Sequence, residues 1–114
     1  MNIKLKRPPR AYRIGIGQDI CILDCGEVRL DNNEQVTFVT KAGKRYDVTA
    51  KSWGFYATPS VNSRLKKEGF RTALVKNRDG RLFVMLVDET KISLFKKYLK
   101  SETSKVEKWL DGLK

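Results

Sequence analysis

Residues 53–65 read WGFYATPSVNSRL, and this stretch decides the predicted fold. Apolar residues alternate along Trp53–Ala57, a pattern typical of a half-buried strand. Thr58 is a favoured N-cap residue and Pro59 a favoured first helical residue, so the pair predicts a helix start. Gly69 follows shortly after two lysines and predicts the helix end. The stretch therefore predicts a strand that leads directly into a central helix.

Upstream of this stretch the chain reads as strands joined by turns. Apolar residues alternate with polar ones in 12–16, 35–40 and 45–49, as they do in half-buried strands. The segments 31–33 and 41–44 supply turn-forming residues between such runs. We therefore expect antiparallel hairpins in the first half of the chain.

Downstream, Asp79-Gly80 separates two apolar runs, 70–75 and 82–87. Asp-Gly between strands is a strong signal for a β-hairpin. The second run is apolar on both faces, which predicts a central strand. We expect one buried cluster in this part of the chain, made of Leu74, Val84, Leu86, Phe95 and Trp109.

Two helices are predicted at the C-terminal end. Residues 91–100 place apolar side chains on one side of a helical wheel and lysines on the other. Ser104 and Glu107 form a capping box, followed at helical spacing by Val106, Trp109, Leu110 and Leu113. The predicted fold class is α+β: a curved, mainly antiparallel sheet with one central helix after the first strands, a later β-hairpin, and two C-terminal helices packed on the sheet.

The length of 114 residues fits one domain. Residues 1–10 contain two prolines and few apolar side chains, so they are predicted to be a flexible basic arm, with residues 11–114 forming a single α+β domain. No apolar run approaches the ~20 residues of a transmembrane helix. Because the basic N-terminus also lacks the apolar run of a secretory signal, we expect a cytoplasmic protein with no membrane partner.

The residue types limit the chemistry. Histidine, the commonest general base and metal ligand near neutral pH, is absent. Cys21 and Cys25 lie four residues apart in a predicted strand, about 13 Å from one another, which is too far for a disulfide. They are predicted to be small core residues. The sequence predicts no cofactor, no metal site and no catalytic residue.

The charge favours a polyanionic partner. Twenty-four Lys and Arg residues against 13 Asp and Glu give a net charge of +11. Such a balance favours nucleic acid or another polyanion, although it also suits a merely soluble cytosolic protein. The predicted basic surface comprises Arg71, Lys76, Arg78, Lys96, Lys97 and Lys100.

A second candidate site is the predicted helix start at Thr58. Backbone N–H groups and hydroxyls at a helix N-terminus hold phosphate or carboxylate groups well. An outward-facing tyrosine beside basic residues is also the kind of ring on which nucleic acid bases stack. The candidate anion or ligand-binding residues are Lys51, Tyr56, Thr58, Ser60 and Arg64. The alternative is that Thr58 caps the helix and binds nothing.

Residues 53–65, together with 46–49 before them and 109–111 near the end, resemble a group of small uncharacterised bacterial proteins that carry a WGFYATPSxNxRL stretch. The resemblance extends over roughly residues 20–112. It implies a bacterial cytoplasmic origin, and it attaches no activity, cofactor or catalytic residue to the chain.

The sequence therefore favours a small, basic, non-enzymatic binding module for a phosphate-bearing partner, with nucleic acid ahead of nucleotide. Two alternatives stay open. One is a protein–protein accessory domain whose positive charge meets an acidic partner. The other is an enzyme that acts on a small anionic substrate at the Thr58 helix N-terminus.

Overall fold

The computed structural model describes residues 1–112 and contains 52% strand, in three antiparallel sheets. The chain divides into two compact units, Met1–Thr58 and Pro59–Lys114. Within the described residues, the first unit contains five strands, and the second contains three strands and two α-helices. Among these residues, no helix combines the length and the apolar character that crossing a membrane requires.

The first unit begins with a two-stranded ribbon. Strand β1 (Asn2–Ile14) pairs antiparallel with β2 (Ile20–Arg29), and a short 3₁₀ turn joins them. Gly26 has φ 141°, and a Cβ on this residue would lie 2.2 Å from the Lys4 carbonyl oxygen. Only glycine therefore fits this close approach of the two strands. Residues 2–10, predicted to be an arm, thus lie within a paired strand; their flexibility stays a prediction.

The rest of the first unit is a three-stranded sheet in the order β3–β4–β5. Its strands are β3 (Gln35–Val39), β4 (Arg45–Lys51) and β5 (Gly54–Ala57). The pairing of β3 with β4 confirms the hairpin predicted across residues 41–44. The turn at 31–33 does not form a hairpin, because β2 and β3 belong to different sheets.

The second unit is built on a sheet in the order β7–β6–β8, from β6 (Phe70–Lys76), β7 (Leu82–Asp88) and β8 (Lys105–Trp109). Helix α1 (Arg64–Lys67) precedes the sheet, and α2 (Ile92–Ser101) lies between β7 and β8. The β6–β7 pairing confirms the Asp-Gly hairpin. The central strand, however, is β6 rather than β7.

The core of this second unit forms where α2 covers the sheet. Ala73, Val75 and Leu99 are its buried centre. The half-buried side chains packed against them are Met85, Phe95, Val106 and Trp109. Phe95 and Trp109 were predicted to lie in such a cluster. Leu74 and Leu86 are only half-buried, and Val84 is 61% exposed, since β7 is an edge strand and Val84 alternates away from Met85.

The predicted α+β fold with a central helix and two C-terminal helices is wrong. Helix α1 has four residues and begins at Arg64, not Pro59. Thr58 instead completes the preceding sheet: its N–H donates to the Asp47 carbonyl at 3.1 Å, and its hydroxyl is hydrogen-bonded to the Thr49 hydroxyl at 2.6 Å. A polar residue before proline therefore ends the sheet here rather than capping a helix.

The last predicted helix is strand β8, and a β-bulge explains the error. Val106 is opposite Val75, while Trp109 is opposite Ala73. Because β8 holds one extra residue between these pairs, Val106 and Trp109 reach the same face of the sheet although they are three residues apart. This spacing imitates a helical period. Leu113, the final residue of the predicted pattern, lies outside the described residues.

The cysteines were also placed wrongly in one respect. Both lie in β2, in agreement with the predicted strand, and both are free thiols. They are exposed rather than buried in a core. Strand alternation shows which residues share a face but not whether that face is covered, so the alternation alone could not reveal their exposure.

Candidate anion-binding groove

The second unit contains an open groove of about 460 Å³ between the β6–β7 turn, the end of α2 and the start of β8. It is lined by Lys76, Asn77, Arg78, Gly80, Leu99, Lys100, Thr103, Ser104 and Lys105. Four of these side chains are cationic and none is a carboxylate. The lining therefore has the composition of an anion site.

A rigid turn holds one wall of the groove. The Asn77 side-chain oxygen accepts hydrogen bonds from the Asp79 and Arg81 N–H groups at 3.0 and 2.9 Å. The backbone N–H of Gly80 donates to the Asn77 carbonyl at 3.0 Å, and Gly80 takes φ 81°, which glycine adopts at little cost. This turn fixes Arg78 at the groove.

The end of α2 forms the opposite wall. Leu99 is buried in the core and anchors the last helical turn, so its neighbour Lys100 is held at the groove. The backbone N–H of Ser104 donates to the Leu99 carbonyl at 2.9 Å, and that of Thr103 to the Lys100 carbonyl at 3.3 Å. Carbonyls that would repel an anion at a helix C-terminus are thus already occupied by hydrogen-bond donors.

Thr103 is strained. It has φ 51°, in the left-handed region that β-branched residues rarely adopt. Such a conformation costs on the order of 1–3 kcal/mol and persists where the surrounding structure imposes it, often at functional sites. Thr103 places a hydroxyl-bearing side chain in the lining of the groove, where the usual glycine at a helix end would place none.

Among residues 1–112, no ion pair neutralises the cations of the groove. Lys76 is directly opposite Lys105 in the β6–β8 ladder. Like charges directly opposite on neighbouring strands destabilise a sheet. Within residues 1–112, Lys76, Arg78, Lys100 and Lys105 form no ion pair, and Asp79, in the same turn as Arg78, does not line the groove. An anion seated over the Lys76–Lys105 pair would relieve this repulsion.

The predicted basic surface is only partly brought together. Lys76, Arg78 and Lys100 line the groove. Lys96 and Lys97 are exposed on α2 but do not line it. Lys96 is one helical turn before Lys100, so it extends the positive surface along the helix.

Arg71 has a structural position instead. Its Nε donates to the Asp111 carboxylate at 3.1 Å and its Nη2 at 3.4 Å, in a two-pronged ion pair. Its guanidinium also lies 3.8 Å from the centre of the Trp109 ring. The Asp111 side chain is fully buried and that of Arg71 is 18% exposed. Arg71 is therefore committed to the fold, through a partner that the sequence did not reveal.

Lys105 is the groove residue that the sequence missed. It was assigned to the first turn of a predicted helix, and in a helix it would not be paired with Lys76. The pairing of Lys105 with Lys76 depends on the register between β6 and β8. That register includes a bulge, at which β8 has one residue more than β6. The short alternation of charged and apolar residues in Lys105-Val106-Glu107 was the only local signal for a strand.

The five residues of the Thr58 site are divided between the two units. Lys51, Tyr56 and Thr58 belong to the first, and Ser60 and Arg64 to the second. Whether they form one anion site stays a prediction.

Each of these residues already has a partner within its own unit. Lys51 donates to the side-chain oxygen of Asn33, Tyr56 stacks on Trp53 with ring centres 6.5 Å apart, and Thr58 is bonded to Thr49 as described above. Ser60 Oγ accepts the backbone N–H of Arg64 at 3.1 Å, and the Arg64 guanidinium pairs with Glu68 at 3.3 Å. With four residues, α1 is also too short to present a helix dipole of useful size.

Comparison with known proteins adds no relative: no family model, no curated protein and no solved structure matches the chain. The bacterial resemblance of residues 53–65 therefore stays a prediction. Functional inference begins from the groove itself.

Proposed function

We propose that this chain is a small, non-enzymatic module that binds a phosphate-bearing polyanion through the groove, with nucleic acid ahead of nucleotide. The observation that carries the proposal is the facing pair Lys76 and Lys105, with Arg78 and Lys100 beside it and no carboxylate in the lining. Phosphate oxygens accept hydrogen bonds from both lysine and arginine, and backbone phosphates supply most of the affinity of nonspecific nucleic acid binding.

The shape of the groove favours a polymer. It is open rather than enclosed, and pockets for small molecules bury most of the ligand surface. Exposed cations continue beyond it, at Lys96 on α2 and at Lys108 on β8, so a phosphate chain meets further positive charge outside the groove. A single nucleotide would use only the central cations.

The lining favours the backbone of the nucleic acid over its bases. None of the groove residues is aromatic, so stacking contributes nothing within it. Lysine and arginine contacts to phosphate position a nucleic acid without reading its sequence. We therefore expect slight sequence preference, and we place this activity in the cytoplasm of a bacterium, as the resemblance implies.

The enzyme alternative receives no support from the geometry. The Thr58 hydroxyl, which it requires as part of an anion site, is bonded within the sheet to Thr49. The accessory-domain alternative stays the second candidate; the exposed apolar face of the first unit does not support it, because that face is assigned below to a second copy of this chain.

Mapping by NMR tests where a polyanion binds. We expect a short oligonucleotide, added at about 50 mM salt where phosphate contacts are strong, to shift the backbone amide signals of Gly80, Thr103 and Ser104 in a saturable manner. Signals of Gly43, in the β3–β4 turn, serve as an internal control and should stay in place. Shifts confined to residues 53–64 would move the site to the Thr58 region, and the absence of any saturable shift would contradict the proposal.

A further inference from the structure

The β1–β2 ribbon has one apolar face and one polar face. Residues paired across the two strands share a face, and the register places Ile3 opposite Val28, Tyr12 opposite Ile22, and Ile14 opposite Ile20. The apolar face comprises Ile3, Leu5, Tyr12, Ile14, Ile20, Ile22 and Val28, and it is interrupted by the pair Arg10 and Asp24 and by a register shift between Leu5 and Arg10. The opposite, more polar face carries charged pairs such as Lys4 and Glu27, together with one apolar pair, Ala11 and Leu23.

In the described part of the chain this apolar face is exposed at Ile3, Leu5, Tyr12, Ile14 and Val28 and half-buried at Ile20 and Ile22. Ile3 is 57% exposed and Leu5 54%, and along residues 1–58 the buried residues are Thr49 and Ala50 alone. A two-stranded ribbon is at best marginally stable in water without something packed on it. Clean alternation of apolar and polar residues is what a sheet shows when one side is covered.

The ribbon is protected against pairing at its edge. Pro8 and Pro9 lie in the middle of β1 and have no N–H to give to a further strand. Lys6, Arg7 and Arg10 flank them, and charged residues also discourage edge-to-edge pairing. The partner of this ribbon is therefore expected on its face rather than along the β1 edge.

The apolar face is complementary to itself. Consider a two-fold axis that is parallel to the strands and lies above the apolar face, midway between β1 and β2. Rotation about this axis places β1 of one chain over β2 of the other, so each residue faces the residue of the partner chain that is equivalent to its own cross-strand neighbour. Leu5 then lies over the partner's Gly26, which has no side chain, and Ile3 over the partner's Val28. Arg10 lies over the partner's Asp24, a carboxylate that within one chain accepts hydrogen bonds from Lys6 at 2.6 Å and Arg10 at 3.4 Å.

We propose that the β1–β2 ribbon packs face to face on the same ribbon of a second copy of this chain, so that the module is a reversible homodimer. The apolar ends of the two ribbons cover each other, and the central charges of one ribbon meet opposite charges of the other. Sheets that pack in this way lie about 10 Å apart.

The size of the face sets the expected strength. The paired length is set by β2, whose ten residues span about 33 Å, and two strands are roughly 10 Å wide, so each copy offers on the order of 300 Å². The pair is therefore smaller than a standard specific interface and belongs with weak, transient contacts, and we expect a dissociation constant on the order of 10–100 μM.

Charge exchange tests the two-fold arrangement. The variants Arg10→Asp and Asp24→Arg each place like charges across the interface, so each alone should be monomeric by analytical ultracentrifugation up to about 500 μM, well above the expected dissociation constant. An equimolar mixture should dimerise again, because the new carboxylates of one chain then face guanidinium groups of the other. Recovery on mixing can only arise between chains. A mixture that stays monomeric, or a parent that is monomeric over the same range, would overturn the proposal.

Neighbouring residues on opposite faces give a matched control. Ile22→Lys places a charge on the apolar face and should abolish the dimer. Leu23→Lys makes the same change one residue along β2, on the polar face, where Leu23 is 58% exposed, and it should leave the dimer intact. If both variants dimerise like the parent, or if both fail to dimerise while keeping the β-sheet circular dichroism spectrum, the apolar face is not the interface.

Discussion

Replacing three of the four groove cations will weaken oligonucleotide binding roughly 500-fold at 0.1 M salt, because each phosphate contact contributes a factor of about [salt]^−0.9 on duplex DNA. The variant is Arg78→Gln, Lys100→Gln and Lys105→Gln together, all from the lining of the groove. Fluorescence anisotropy with a labelled duplex measures the change. The log–log salt slope should fall in magnitude from about 3.6 to about 0.9 for the same reason.

A control variant removes the same charge elsewhere. Lys41→Gln, Lys67→Gln and Lys91→Gln take away three positive charges from exposed residues that do not line the groove. We expect this control to keep most of the affinity and of the salt slope. Equal weakening in the two triple variants would mean that net charge alone attracts the oligonucleotide, and the groove would lose its special role.

The groove variant should at the same time fold at least as well as the parent. Lys105→Gln removes the like-charge pair with Lys76 across β6 and β8, and such pairs destabilise a sheet by roughly 0.2–1 kcal/mol. A loss of binding accompanied by unchanged or higher stability separates the groove from the residues that hold the fold together. Urea denaturation of both triple variants provides the comparison.

The second large effect concerns the buried ion pair. Asp111→Ala should lower the free energy of unfolding by about 3 kcal/mol, since it leaves the guanidinium of Arg71 largely buried without its carboxylate. The loss is a sizeable fraction of the stability of a small protein and should lower the melting temperature by roughly 10 °C. Thermal unfolding followed by circular dichroism measures it.

Two further variants show whether the loss of stability comes from the broken ion pair. Asp79→Ala removes an exposed carboxylate and should change stability by less than about 0.5 kcal/mol. Arg71→Met in the Asp111→Ala background should recover much of the loss, because an apolar side chain replaces the unpaired charge beside Trp109. If Asp111→Ala is as stable as Asp79→Ala, the ion pair does not stabilise the second unit.

The sequence predicted those elements whose signals are local. Asp79-Gly80 between apolar runs predicted the β6–β7 hairpin, and the one-sided lysines of residues 91–100 predicted α2. Both signals lie within a few residues of the structure that they specify, so no tertiary contact was needed to interpret them.

The two wrongly predicted helices share a physical cause. In each, a contact between residues distant in sequence stabilises a strand or a strand end although the local pattern is typical of a helix. Thr58 and Pro59 have the residue types of a helix start, but Thr58 is bonded to Thr49 at the end of a sheet. Val106 and Trp109 have helical spacing, but a bulge places both on one face of a strand. Neither the hydrogen bond nor the bulge leaves a mark in the nearby sequence.

The sequence predicted only some of the residues that line the groove. Counting charges identified Lys76, Arg78 and Lys100 as basic surface, and these three residues line the groove. The same count could not distinguish Arg71 from these three residues, because the carboxylate that neutralises Arg71 is 40 residues away in the sequence. Nor could it place Lys105, whose position depends on strand pairing.

The most direct test of polyanion binding is a titration of the unaltered chain with a mixed-sequence oligonucleotide at about 50 and then 200 mM salt, a range over which phosphate contacts weaken steeply. If the four groove cations contact phosphates, the log–log slope will be about −3.6 on a duplex or about −2.8 on a single strand. A dissociation constant weaker than ~100 μM at the lower salt would be poorer than ordinary nonspecific affinity and would contradict the proposed function.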